Sequence, residues 1–135
     1  MSKTYFILSL LMAATVGLHV FGGGPEYADP FKEVMPNADL KAMSLVLWHA
    51  VTVVLIAVSI AYMWLAYRPS RALYAFTTGF QLAWAALFIF YGVTILGEFS
   101  TQPQWVLFTA FPLIATFAEF SRPSSRGDNS TAFLV

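Results

Sequence analysis

Cysteine is absent from the 135 residues, which removes disulfide bridges, thiolate metal ligands and thiol redox chemistry. Charge is scarce as well: Asp, Glu, Lys and Arg make up 10% of the chain, against roughly 25% in an ordinary soluble domain. The few charges carry no net sign, with seven Lys and Arg against seven Asp and Glu. Nothing in that balance points to a nucleic-acid backbone or a strongly acidic partner. No nucleophile stands with a base and an orienting acid, and no glycine-rich loop sits between strand and helix to hold phosphate. No catalytic residue is assigned, and enzymatic activity is not indicated.

What is present is apolar surface. Hydrophobic residues make up 59% of the chain and aromatic residues 17%, more than a soluble fold of this length can hide. In lipid a helix needs about 20 mainly apolar residues to cross the hydrocarbon, and runs of that kind recur. The expectation is an all-α, polytopic membrane protein, an antiparallel bundle of four transmembrane helices over about 4–21, 40–67, 73–99 and 104–120. A transmembrane domain at 1–121 would then precede a polar tail at 122–135. No internal repeat is visible.

Lys3 followed by an apolar run with Ala13 and Ala14 has the outline of a signal peptide, but no Ala-x-Ala closes the run, so it reads as the first spanning helix. Gly22-Gly23-Gly24-Pro25 is expected to end that helix and to open a loop over 22–39. Within the loop, Asp29-Pro30-Phe31-Lys32-Glu33-Val34-Met35 predicts a short interfacial helix, with Asp29 as cap and Pro30 in the first turn. Asn37 to Leu40 offers a cap for the second long helix. Trp48 lies toward one end of that helix, with Tyr62, Trp64 and Tyr67 at the other, as interface anchors do.

In the third run Thr77, Thr78, Gly79 and Gln81, then Tyr91, Gly92, Thr94 and Gly97, read as close-packing positions. Gln81 is expected to bond a hydroxyl on a neighbouring helix. Pro112 predicts a kink in the fourth run, and Glu119 stands three residues before Arg122, the spacing of a local ion pair. Lys3, Arg68, Arg71, Arg122 and Arg126 fall on one side of this topology, opposite the acidic 22–41 stretch and Glu98; only Lys32 and Lys41 dissent. The positive-inside rule then predicts the inner (cytoplasmic) membrane with both termini cytoplasmic and the long loop periplasmic.

The chain has two histidines, His19 and His49, and each lies in an apolar run, where an ionisable ring is costly and marks a candidate site. The topology brings both to the periplasmic side, on consecutive antiparallel helices. Neutral imidazoles ligate zinc, copper and haem iron, and Glu26 is the nearest carboxylate that can join them, so His19, His49 and Glu26 form a candidate metal set. The same two rings can hold a haem axially, or relay protons. The plain structural reading gives each ring ordinary hydrogen bonds, with Thr15, Ser44 and Thr52 in reach along the helices.

The pattern His19-x-x-x-Gly23, a following acid, then Trp48-His49-x-x-Thr52 resembles that of small four-helix bacterial membrane proteins with a histidine and Gly-Glu at the end of helix one and Trp-His-x-x-Thr in helix two. The resemblance covers the first half of the chain, and the chain departs from it by inserting Gly24 and Pro25 before Glu26. It implies that His19, His49 and Thr52 belong to one cofactor-binding constellation, and it names no ligand.

Three functions follow as expectations. One is an accessory or assembly subunit docking on a larger membrane complex. Another is a metal- or haem-binding protein using His19 and His49. The third is a small transporter or channel built as a homo-oligomer. The lipid bilayer is the common partner, and nucleic acid is not one.

Overall fold

The computed structural model describes residues 1–121. The polar tail at 122–135, and with it the Glu119–Arg122 pair, lies outside the described residues. Among those described, the chain is helical and contains no strand. Helix α1 spans Lys3–Gly17 and continues as a π-helix over Leu18–Ala28 into α2, Asp29–Val34. Helix α3 spans Ala38–Tyr67, α4 spans Arg71–Tyr91 and closes in a π-helical turn at Gly92–Leu96, and α5 spans Gln104–Phe120.

The expected loop at 22–39 is therefore largely absent. The helix runs through Gly22, Gly23, Gly24 and Pro25, so the first rod extends over Lys3–Val34. A π-type turn, bonded from i to i+5, is wider than an α-turn, which gives the proline ring room inside the helix. The short helix at Asp29–Val34 does form, with a proline in its first turn. The side chain of Asn37 accepts the Leu40 N–H at 2.9 Å and starts α3, as Ser70 does for α4 through the Leu73 N–H at 3.3 Å.

Three rods, Lys3–Val34, Ala38–Tyr67 and Arg71–Leu96, are long and apolar enough to cross a membrane. The 30 residues of α3 extend about 45 Å at 1.5 Å per residue, more than the roughly 30 Å hydrocarbon core. Helix α5 is apolar but shorter, at 17 residues. The outward faces are apolar, with Phe117 74% and Phe76 70% exposed, while Gln81 is 0% and Ser9 2% exposed. That inversion of a soluble protein suits a lipid surround.

Helix α1 packs chiefly on α3, and α4 on α5; α5 also meets α1, and α3 meets α4. Tyr5, Leu8, Met12, Leu55, Tyr62 and Leu65 meet Phe111 and Ala115 in the core, where small residues let helices approach. Each of the four seams also carries a polar tie. Ser9 Oγ donates to the Ser59 carbonyl at 2.8 Å and Ser59 Oγ to the Ser9 carbonyl at 2.9 Å, joining α1 to α3. Gln81 Nε2 donates to Tyr62 Oη at 2.7 Å, joining α4 to α3 and meeting the expectation of a cross-helix hydroxyl. Tyr74 Oη donates to Thr116 Oγ1 at 2.8 Å, joining α4 to α5. Tyr5 Oη reaches the Ala115 carbonyl at 3.2 Å and Glu119 Oε2 at 3.1 Å, joining α1 to α5.

At the far end of α4 the chain folds back on itself. Gly97 takes a φ of 75°, and the Glu98 N–H returns to the Gly92 carbonyl at 3.1 Å. A Cβ on Gly92 would stand 2.8 Å from the Glu98 carbonyl oxygen, so this close approach requires glycine. The Glu98 carboxylate accepts the hydroxyls of Thr101 and Ser100, and these donors hold its pKa below the ordinary value. The Trp105 indole N–H anchors the same loop to the Phe99 carbonyl at 2.9 Å.

A group with a lowered folded-state pKa contributes order above the ordinary carboxylate range and loses it as pH falls through the lowered value. Acidifying the detergent-solubilised protein is therefore expected to change tryptophan emission only below the ordinary carboxylate range. Glu98→Gln should lack that transition; an identical transition in the variant refutes the assignment.

Candidate functional site

The wide turn after Gly17 sets the face on which the site is built. With bonds closing from i to i+5, residues four apart fall nearly in line, so His19, Gly23 and Tyr27 form one stripe. All three meet the same side chain on α3. The His19 ring stacks on the Trp48 indole with centroids 4.0 Å apart and 20° between planes. Tyr27 stacks on the same indole at 6.1 Å and 24°. Between them, a Cβ on Gly23 would lie 2.9 Å from Trp48 Cη2, so the missing side chain is what admits the indole.

The Trp48 carbonyl is a second focus. His19 Nε2 lies 3.4 Å from it, within reach of an Nε2–H donor, and Thr52 Oγ1 donates to it at 3.4 Å. His19 and Thr52, grouped by the sequence pattern, thus meet at one backbone oxygen. Thr15 does not join them, since its hydroxyl returns to the Leu11 carbonyl at 3.0 Å within its own helix.

His49 is placed differently from the expectation. It is exposed on α3 and does not line the cleft that His19 faces. Trp48 occupies the inward position and the next residue turns about 100° away around the helix. Glu26 is exposed at the rim of the cleft, on the same side as His19. Among the described residues, no group of three or more His, Asp or Glu side chains is placed to hold a metal ion. The candidate set His19, His49 and Glu26 is therefore not assembled.

What the structure assembles is a cleft of about 870 Å³ between the α1–α3 pair and the α4–α5 pair. Leu18, Val51 and Leu55 form part of its wall on one side, and Leu87, Phe88 and Leu107 on the other. Trp84 meets Phe108 edge-on at 5.1 Å, and Phe88 stacks on Phe108 at 5.9 Å, so the second wall is also aromatic. The polar residues come from α1 (Thr15), the rod after it (His19, Glu26, Tyr27), the α4–α5 connection (Thr101, Gln102) and the first turn of α5 (Gln104). Gln104 Oε1 is buried without a hydrogen-bond partner among the described residues.

Sequence reasoning passed over Trp48, Trp84, Phe88 and Gln104 as site residues. A signal for Trp48 exists in the spacing Trp48, Val51, Leu55, Val58, Tyr62 and Leu65, which repeats at three and four residues along one face of α3. The other three become site residues only when the second helix pair is docked against the first.

Fold and site together define an all-helical protein with three rods able to cross a membrane and a ligand-sized cleft walled by rings. Searches with protein-family models, among curated proteins and among solved structures found no match to the chain.

Proposed function

We propose that the protein is a small integral membrane accessory protein that holds one amphiphilic molecule in the cleft between its two helix pairs. The observation that carries this reading is the composition of the cleft. Polar side chains of the first rod (His19, Glu26, Tyr27), of the α4–α5 connection (Thr101, Gln102) and of the first turn of α5 (Gln104) share the cleft with leucine, valine and aromatic side chains of α3, α4 and α5. A volume of about 870 Å³ falls in the usual range for small-molecule sites, about 300–1,000 Å³. In this reading α5 is the fourth span, and the basic residues place both termini in the cytoplasm with the mouth of the cleft on the outer side of the inner membrane. The accessory role accords with the absence of a catalytic constellation in the sequence.

The test is extraction and mass spectrometry of protein purified in mild detergent. One class of amphiphile should be retained in a near one-to-one ratio. Leu87 lines the cleft yet is half exposed, so Leu87→Trp fills space there without overpacking the core. That change should lower retention by about tenfold, equivalent to about 1.4 kcal/mol of binding. Recovery of bulk lipid alone, in bulk proportions, from both proteins overturns the reading. A protein that always migrates alone on native gels removes the accessory part and leaves the binding part standing.

A further inference from the structure

We infer that the cleft selects a neutral, ring-headed amphiphile bearing hydroxyl donors, chemically an alkyl hydroquinone, and rejects phosphate-headed lipids. The inference rests on the reading that the cleft holds an amphiphile, and it specifies the head group.

Charge decides the first part. Among the described residues, no lysine or arginine lines the cleft, and the one carboxylate that does is Glu26 at the rim. The nearby Lys32 is paired with Asp29. A phosphate drawn into this site would lose water without gaining a cation, which is strongly unfavourable. It would also meet the Glu26 carboxylate. A neutral head suffers neither effect.

Hydrogen bonding decides the second part. Gln104 lines the cleft, and its Oε1 is buried with no partner among the described residues. An amide oxygen only accepts, and a buried acceptor left unmatched is costly, so the complementary head group must donate. A hydroxyl meets this requirement, whereas an ether or ester oxygen cannot.

Shape decides the third. The His19, Trp48 and Tyr27 rings lie on one side of the cleft and Trp84, Phe88 and Phe108 on the other. Ring faces favour a flat aromatic head by stacking beyond simple area burial, and the leucine and valine walls suit its alkyl tail. A hydroxyl-headed diacyl lipid matches the charge and the donor but leaves the ring faces unused.

The test uses the full chain in phosphatidylcholine nanodiscs under reducing conditions. The probes are decyl hydroquinone and its dimethyl ether, which keeps the ring and tail but has no donor, and binding is measured by equilibrium dialysis. The hydroquinone should bind about tenfold more tightly than the ether, as one satisfied against one unsatisfied buried acceptor requires. Gln104→Leu should bring the hydroquinone down to the level of the ether and leave the ether unchanged. Gln104→Glu, which keeps an acceptor, should preserve the preference and guards against a leucine variant that misfolds. Replacing part of the phosphatidylcholine with phosphatidylglycerol should not displace the hydroquinone.

Equal binding of the two probes, an equal loss of both in Gln104→Leu, or displacement by phosphatidylglycerol overturns the inference. If neither probe binds while the purified protein still retains an amphiphile that Leu87→Trp displaces, the head-group assignment fails and the binding function stands. If retention fails too, both fall.

Discussion

Tyr62→Ala is expected to destabilise the bundle by about 2–3 kcal/mol, measured as a fall in the thermal midpoint of the helical circular-dichroism signal in detergent. Truncating a large buried ring in water costs about 3–5 kcal/mol, part of it transfer free energy and part the cavity left behind. In lipid the separated helices already have an apolar solvent, so the transfer part largely disappears and the packing part remains. Tyr62 is 0% exposed and packs beside Tyr5, with ring centroids 6.1 Å apart, so little can collapse into the space. Its hydroxyl also accepts the Gln81 amide at 2.7 Å. Tyr62→Phe removes only that bond and should cost about 0.5–1.5 kcal/mol, in line with interhelical bonds in membranes. Equal losses in the two variants would show that the hydrogen bond, and not the ring, holds the α3–α4 seam.

Gly23→Ala is expected to lower amphiphile retention by about tenfold, while Gly24→Ala leaves it within about twofold; the tenfold loss again corresponds to about 1.4 kcal/mol. Both changes raise helix propensity by similar amounts, up to about 1 kcal/mol, so propensity cannot separate them. Contact does. A Cβ at Gly24 meets nothing within 4 Å, whereas at Gly23 it lies 2.9 Å from Trp48 Cη2. The indole is held by stacks with His19 and Tyr27 and cannot yield without disturbing the wall that those rings form. Tryptophan emission should shift in Gly23→Ala and remain unchanged in Gly24→Ala. Retention that is indifferent to Gly23→Ala would place the bound molecule away from Trp48.

Several features of this architecture are legible in single residues. Apolar runs mark the long rods, Asn37 marks the start of α3, and Gln81 in a spanning helix calls for a hydroxyl partner. The course of the chain through Gly22 to Pro25 is not legible locally, because glycine and proline carry the strongest local stop signal. A lipid surround would outweigh that signal. In an apolar medium an interrupted helix exposes N–H and C=O groups that nothing satisfies, so the backbone keeps bonding to itself in a wider turn.

His49 is conspicuous in the sequence as an ionisable group in an apolar run. Which of Trp48 and His49 faces inward depends instead on the phase of the whole helix, fixed by Leu55, Tyr62 and Leu65 farther along it. Gln104 and the rings of α4 and α5 depend on how two helix pairs dock, and short-range patterns hold no record of that.

The four polar ties share one further property. They link α1 to α3, α3 to α4, α4 to α5 and α5 back to α1, and all of them involve residues 5–9, 59–62, 74–81 and 115–119. The cleft is bordered by residues 15–27, 48–55, 84–91 and 101–108, at the opposite end of the bundle. The two helix pairs are thus tied to each other at one end, whereas at the cleft end the His19–Trp48 contact and the Trp84–Phe108 contact each act within a pair, in the manner of a collet whose jaws share a ring. Spreading of the two pairs at the cleft end would therefore leave the four ties at the other end in place.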